Sequence, residues 1–198
     1  MILIGAGGHS KVILDIADLL NIKFKSVFDN KFEQRELFNE ISVISKINNS
    51  KSEKAIIGIG NNRVRYRFDK EYNNLEWATL IHPKAIISKD VVIGDGSVIM
   101  AGCIIQPGVR IGKHCIINTG ACIDHDVEIG DFVHVAPNCS LAGGIKVLEG
   151  SFIGIGASVI PEVRIGSWST IGAGSVVLSD VENETIVMGI PAKVKYGK

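Results

Sequence analysis

From Ile81 to Val177 every sixth residue is isoleucine, leucine or valine, without a break. A second series runs four residues behind it, from Ala85 to Val181, and holds mostly small or short side chains such as Ser97, Cys103, Ala121, Cys139, Ser151 and Ala157. A helix places apolar residues near every 3.6 positions and a lone strand every 2. A strict six with one large and one small inward residue therefore predicts very short strands joined by sharp corners, with no inserted loop between Ile81 and Val181. Glycine follows the large residue at Gly94, Gly112, Gly130, Gly154, Gly166 and Gly172, where a bend without a Cβ is easiest. Three hexads close one triangular coil, and positions one full coil apart stack on neighbouring rungs ~4.8 Å from each other. The repeat is long enough for between five and six coils.

Residues 1–78 follow another rhythm. "MILIGAGGHS" reads as a strand entering a glycine-rich loop, and "KVILDIADLLN" carries Val12, Ile16, Leu19 and Leu20 at helical spacing. "KSVFDN" and "KAIIGIGNN" read as further strands and "RVRYRFDKEYN" as a polar helix. The order β-α-β-β-α predicts a small parallel α/β unit that takes a ligand at the carboxyl ends of its strands. Three features gather there: Gly5-Ala6-Gly7-Gly8-His9, Asp29-Asn30 and Gly60-Asn61-Asn62. A glycine loop opening a helix presents N–H groups and a dipole to a phosphate, and a carboxylate after the second strand suits a ribose or a base edge. Ser10 stands where a dinucleotide fingerprint has glycine, and so short a unit supplies one mononucleotide half. A plain strand-to-helix turn is the alternative reading of the loop.

Composition narrows the classes. Lys+Arg and Asp+Glu both number 21, with no block of like charge, so neither nucleic acid nor a membrane surface is an expected partner. No run approaches the ~18 apolar residues of a membrane span, and the first residues lack a signal-peptide pattern, which points to the cytoplasm. The four cysteines form no C-x-x-C pair. Reduced thiols are expected, with Cys103, Cys115 and Cys139 as fillers of the small inward series.

The candidate chemistry lies in "GACIDHDVEIG", residues 120–130. Ile123 and Val127 point inward, which leaves Asp124, His125 and Asp126 on the turn between them. An imidazole beside a carboxylate is suited to act as a general base near neutral pH, and either aspartate could orient it. One coil further on stands Gly143 in "LAGGI", stacked on His125, where a ligand can approach the backbone closely. Its N–H is the expected donor to an oxyanion or a thioester carbonyl. The bland alternative is a solvated turn histidine. His114, His125 and His134 are too far apart in sequence to share one coil as a close ligand pair, so a β-helix zinc enzyme of the carbonic anhydrase type is a remote reading.

The front unit, the unbroken hexads, "IDHD" and the tail "MGIPAKVK" together resemble the hexapeptide-repeat sugar acetyltransferases. The nearest branch is the bacterial UDP-amino-sugar N-acetyltransferases of the bacillosamine-pathway type, with sialic acid O-acetyltransferases as near relatives. The resemblance implies a Rossmann-like α/β domain over residues 1–78 that binds a nucleotide sugar, then an all-β left-handed parallel β-helix over 79–198. It implies acetyl transfer from acetyl-CoA to the amine of a UDP-linked amino sugar, with O-acetylation of a sialic acid or another sugar as the alternative. In that family the residue matching His125 is the general base and an acidic residue matching Asp126, more usually glutamate, raises its basicity. Gly7, Gly8, His9, Asp29, Asn30 and Gly60 match positions that hold the nucleotide sugar, and Asn118 one that orients the acceptor. His134, Gly143, Ile155 and Ala173 match positions that contact acetyl-CoA. The family uses no metal and assembles as a homotrimer, with the CoA channel between neighbouring subunits.

Overall fold

A computed structural model describes residues 1–29, 41–47 and 53–195. Asn30 lies outside the described residues. The α/β unit runs β1 (Ile2–Ile4), α1 (Gly8–Leu19), β2 (Ser26–Phe28), β3 (Ser42–Ile44), β4 (Lys54–Ile57), α2 (Asn62–Glu71) and β5 (Glu76–Trp77). The strands are parallel in the order β3-β2-β1-β4-β5. The strand order therefore reverses between β1 and β4, and in open parallel sheets that switch point is where a crevice forms at the carboxyl ends of the strands. The Gly5–Gly8 loop and the Gly58–Asn61 loop border that crevice.

Two elements depart from the expected β-α-β-β-α order. The short β3 and β5 extend the sheet at its edges, and their few residues carry no alternation long enough to announce a strand. Helix α1 also turns a different stripe inward: Ser10, Ile13, Ile16 and Ala17 are buried while Val12 and Leu19 are exposed. The helix packs on its own sheet and against the first coil strand at Leu80, and the shared core selects the stripe.

From Leu80 onward two-residue strands build a triangular prism. The first face stacks the strands beginning at Leu80, Val98, Ile116, His134, Phe152 and Thr170, the second those at Ile86, Ile104, Cys122, Ser140, Ser158 and Val176, and the third those at Val92, Arg110, Glu128, Lys146 and Arg164. All these pairings are parallel, with partners one coil apart, as in Ile105↔Ile123, Ile111↔Ile129 and Ile117↔Val135. The expectation of an unbroken period fails at the end. Thr170 pairs with Ile186 and Ile165 with Val181, so the last coil is two residues short and Val181 occupies the large inward place, not the small one. Strand Lys193–Val194 then folds back antiparallel on Ile186–Met188.

The inward hydroxyls and thiols are spent on the prism wall. Ser97 Oγ donates to the Gly112 carbonyl at 2.8 Å and Ser151 Oγ to that of Gly166 at 2.6 Å. Burial pushes the Cys103 thiol up to about 11 and that of Cys115 to about 12, so neither supplies a thiolate.

A buried guanidinium locks the two units together. Arg65 of α2, 1% exposed, donates from Nε to the His114 carbonyl at 2.9 Å, from Nη1 to those of Ile59 and Gly60, and from Nη2 to those of Phe132 and Val133. Five carbonyls replace its water shell, which is the condition for burying such a group. Asn62 Nδ2 donates to the carbonyls of Gly150 and Ser151 beside it.

Candidate active site

The turn after strand Cys122–Ile123 joins the second face to the third and carries Asp124, His125 and Asp126. Asp124 Oδ1 accepts the His125 backbone N–H at 2.7 Å and so holds the turn. Asp126 has a left-handed φ of 59°, which swings its carboxylate back until Oδ2 lies 2.9 Å from His125 Nδ1. The geometry thus gives the imidazole to Asp126 and the backbone to Asp124, although aspartate is a methylene shorter than the usual glutamate. With Nδ1–H donating to the carboxylate, the lone pair sits on Nε2, which has no partner among the described residues. The hydrogen bond to Asp126, then the charge of Asp124, hold the imidazole pKa above its ordinary value.

Gly143 lies against that ring. A Cβ at this position would sit 2.6 Å from both Cε1 and Nε2 of His125, so only glycine leaves the imidazole where it is. The neighbouring backbone bonds are taken, Gly144 N–H by the His125 carbonyl and the Gly143 carbonyl by Glu162 N–H, while the Gly143 N–H has no acceptor among the described residues. Prolines occupy the same corner place one coil beyond Gly143, at Pro161, and two coils before it, at Pro107, so the fold does not need an N–H there.

The second cluster surrounds the crevice of the α/β unit. Gly7, Gly8 and Gly60 have open space where a Cβ would be, so packing does not explain them. Gly5 differs, with φ of 99° and Ile59 Cγ1 2.6 Å from any Cβ, and is a requirement of the turn. Ser10, the departure from the dinucleotide fingerprint, donates from Oγ to the carbonyls of Gly5 and Gly58 at 2.7 and 3.0 Å and ties the two loops. Asp29 Oδ2 accepts the Ala6 N–H at 2.9 Å. His9 has a buried Nε2 with no partner among the described residues, and burial followed by the charge of Arg65 pushes its pKa down to about 4.

The structure does not group His134 with Gly143. His134 opens a strand of the first face, where Nδ1 meets the Gly60 carbonyl at 3.3 Å and Nε2 meets Asn118 Nδ2 at 3.1 Å. Burial, with Arg65 next, pushes it down to about 4, so it is a neutral imidazole. Gly60, Asn62, Arg63, His134, Phe152 and Trp168 line a cavity of ≈ 460 Å³ at this junction. Ile155, 54% exposed, and Ala173 stack one coil apart on the corner between first and second faces. Gln106, Cys122, Asp124, Ser140, Ala142 and Ser158 line a groove of ≈ 390 Å³ on the second face that reaches the turn at Asp124.

The PglD N-terminal domain family matches residues 1–72, and the bacterial transferase hexapeptide (six repeats) family matches residues 90–125 and 144–179. The chain superposes over 99% of its length on 96% of perosamine N-acetyltransferase from Caulobacter crescentus, a histidine-to-asparagine variant in complex with CoA and GDP-perosamine, at 32% identity and a TM-score of 0.92. The chain belongs to the hexapeptide-repeat sugar N-acetyltransferases. The acetyltransferase domain of PglB from Neisseria gonorrhoeae, in complex with acetyl coenzyme A, matches at 33% identity over 98% of both chains with a TM-score of 0.87. UDP-N-acetylbacillosamine N-acetyltransferase of Bacillus subtilis is 41% identical over 108 residues, 50% of this chain and 50% of that enzyme. A mimivirus protein is 36% identical over 117 residues, 24% of its length, so the chain spans half or less of these curated relatives.

In this sugar N-acetyltransferase the junction of the two units carries no signal in the sequence. Nothing in the polar stripe of α2 marks Arg65 as buried. His114, with a left-handed φ of 52°, lies buried with Nε2 3.0 Å from Asp69 Oδ1, stacked on Phe132 and edge-on to Trp77. Among the described residues no three His, Cys, Asp or Glu side chains are grouped to hold a metal, and no helix is long and apolar enough to cross a membrane.

Proposed function

We propose that this protein transfers the acetyl group of acetyl-CoA to the amine of a nucleotide-linked amino sugar, with UDP as the nucleotide. The observation that carries the reading is the His125 corner: Nδ1 committed to Asp126, Nε2 open, and the unpartnered Gly143 N–H one rung away. The sugar amine attacks the thioester carbonyl carbon while His125 Nε2 takes its proton, and the Gly143 N–H donates to the oxyanion of the tetrahedral intermediate. The C–S bond then breaks and the imidazolium returns the proton to the CoA thiolate. Asp126 orients the imidazole and stabilises its cation.

Gly7, Gly8, His9, Asp29 and Gly60 hold the nucleotide sugar in this reading, and neutral His134 with Asn118 lines the approach from the prism side. Ile155, Ala173 and the groove on the second face take the CoA arm, whose thioester end reaches Gly143. The crevice abuts the first face, whereas His125 stands on the corner between second and third, the vertex opposite that face. One chain alone therefore does not bring its own crevice to its own base. A second copy does, and the uncharged outer row of the second face, from Ile86 and Ile104 to Ser158 and Val176, suits packing against it. The assembly we propose is a homotrimer with three shared sites, working in the cytoplasm with residues 1–78 as the nucleotide-sugar domain and 79–198 as the acetyltransferase domain.

The test is thiol release from acetyl-CoA with UDP-linked amino sugars, GDP-linked amino sugars and free sialic acid offered in parallel. Release with a UDP-amino sugar that falls by ~10²–10⁴-fold in His125→Ala supports the reading. Release with sialic acid alone would replace it with O-acetylation.

A further inference from the structure

The corner that carries the base has a column of second-turn residues, one per coil: Asp90, Gly108, Asp126, Gly144 and Glu162. Other carboxylates on the prism corners cap backbone N–H groups. Asp131 Oδ1 accepts from Lys113 at 2.7 Å, Asp180 Oδ1 from Arg164 at 2.8 Å, and Asp90 Oδ2 from Gly108 at 2.8 Å. In the register of Asp90, which caps the coil after its own, Asp126 would cap Gly144, but the Gly144 N–H already donates to the His125 carbonyl at 3.0 Å. The Asp126 carboxylate is left for the imidazole.

What keeps it there is the glycine one coil away. Gly108 has a φ of 78°, and a Cβ on it would overlap Asp126 Oδ1 and press within 3.4 Å of the Asp126 backbone nitrogen. With hydrogen alone at that place, Oδ1 rests over the Gly108 backbone while Oδ2 meets His125 Nδ1. We propose that Gly108, pinned by the Asp90 carboxylate on its N–H, is a positioning residue for the Asp126–His125 pair. The proposal rests on the acetyl-transfer reading for its purpose, but its test needs no substrate.

The charged groups at this corner are Asp124 and Asp126 on the imidazole's own turn, Lys89 and Asp90 two coils to one side, and Glu162 two coils to the other. The positions between them, Pro107, Gly108, Gly143 and Gly144, carry no charge. The experiment is an NMR titration of the His125 ring nitrogens in the full-length protein, assigned with His125→Ala. Gly108→Ala is expected to bring the midpoint down toward the ~6.5 of a free imidazole and to lose the fixed Nδ1–H tautomer, as Asp126→Asn does. Gly102→Ala is the control for backbone cost, with a φ of 70° and nothing nearer its Cβ than 3.9 Å, and it is expected to titrate as the unsubstituted protein. An unchanged midpoint and tautomer in folded Gly108→Ala overturns the proposal. Should that variant not fold, Asp90→Ala against Asp90→Asn decides: both remove the charge, and only the amide can still accept the Gly108 N–H. A larger fall in the alanine variant supports the proposal, and equal midpoints overturn it.

Discussion

Gly143 and His125 sit on successive coils so close that a single methyl group on the first would lie 2.6 Å from two atoms of the second's imidazole. Gly143→Ala therefore has to push the ring off its place. Since Gly143 is not in the left-handed region, the prism itself tolerates the change. The expected outcome is a loss of about 10²-fold in kcat/KM for acetyl transfer, with the thermal midpoint unchanged by circular dichroism.

The pH dependence follows from the two carboxylates beside His125. Asp126 and Asp124 raise its pKa, so the imidazole stays protonated to a higher pH and the free base is lost as pH falls through a value above ~6.5. Thus kcat/KM should rise with pH through that midpoint. Asp126→Asn should move the acidic limb down in pH while lowering the plateau, because the amide neither stabilises the imidazolium nor enforces the tautomer. A limb that stays in place in this variant would assign it to another group.

Intersubunit sharing of the site predicts complementation. Gly8→Leu fills open space at the crevice without touching the core, and His125→Ala removes the base; each alone should be inactive. If a site takes its crevice from one chain and its base from another, co-expressing the two in equal amounts restores about a quarter of full activity by random assortment. Light scattering should give three copies of the 21.3 kDa chain. No recovery would place both halves of the site on one chain.

Arg65 bears first on stability. Arg65→Met strands five carbonyls at the junction and should cost about 3 kcal/mol or more of unfolding free energy, read by urea titration. Arg65→Lys keeps the charge but not the planar fork, and should fall between the two.

The prism was legible because a period of six is enforced at every coil by the same physical demand, one large and one small side chain turned into a closed interior. That period alone stacks Gly143 on His125, as the fold has it. The slip at Val181 was not legible, since a valine suits either inward place and the pairing of Ile165 decides which. The same holds for α1, where Val12 and Ile13 are equally apolar and only docking against Leu80 and the sheet buries the second.

The site divides along the same line. Local sequence placed Asp124, His125 and Asp126 on one turn, and the glycines Gly7, Gly8 and Gly60 at strand ends, because backbone geometry and side-chain period are short-range properties. The choice of Asp126 over Asp124 needed the left-handed φ at 126 and the competing bond from Gly144 to the His125 carbonyl. Arg65, His114 and His134 became a buried junction only when α2 met the first face, since burial of a polar side chain depends on which carbonyls the tertiary fold brings to it. The sequence by itself determined the repeat, its register as far as Val177 and the turn that carries His125; the separation of the Gly60 loop and His125 onto opposite sides of one chain was decided by how two units with different periods pack together.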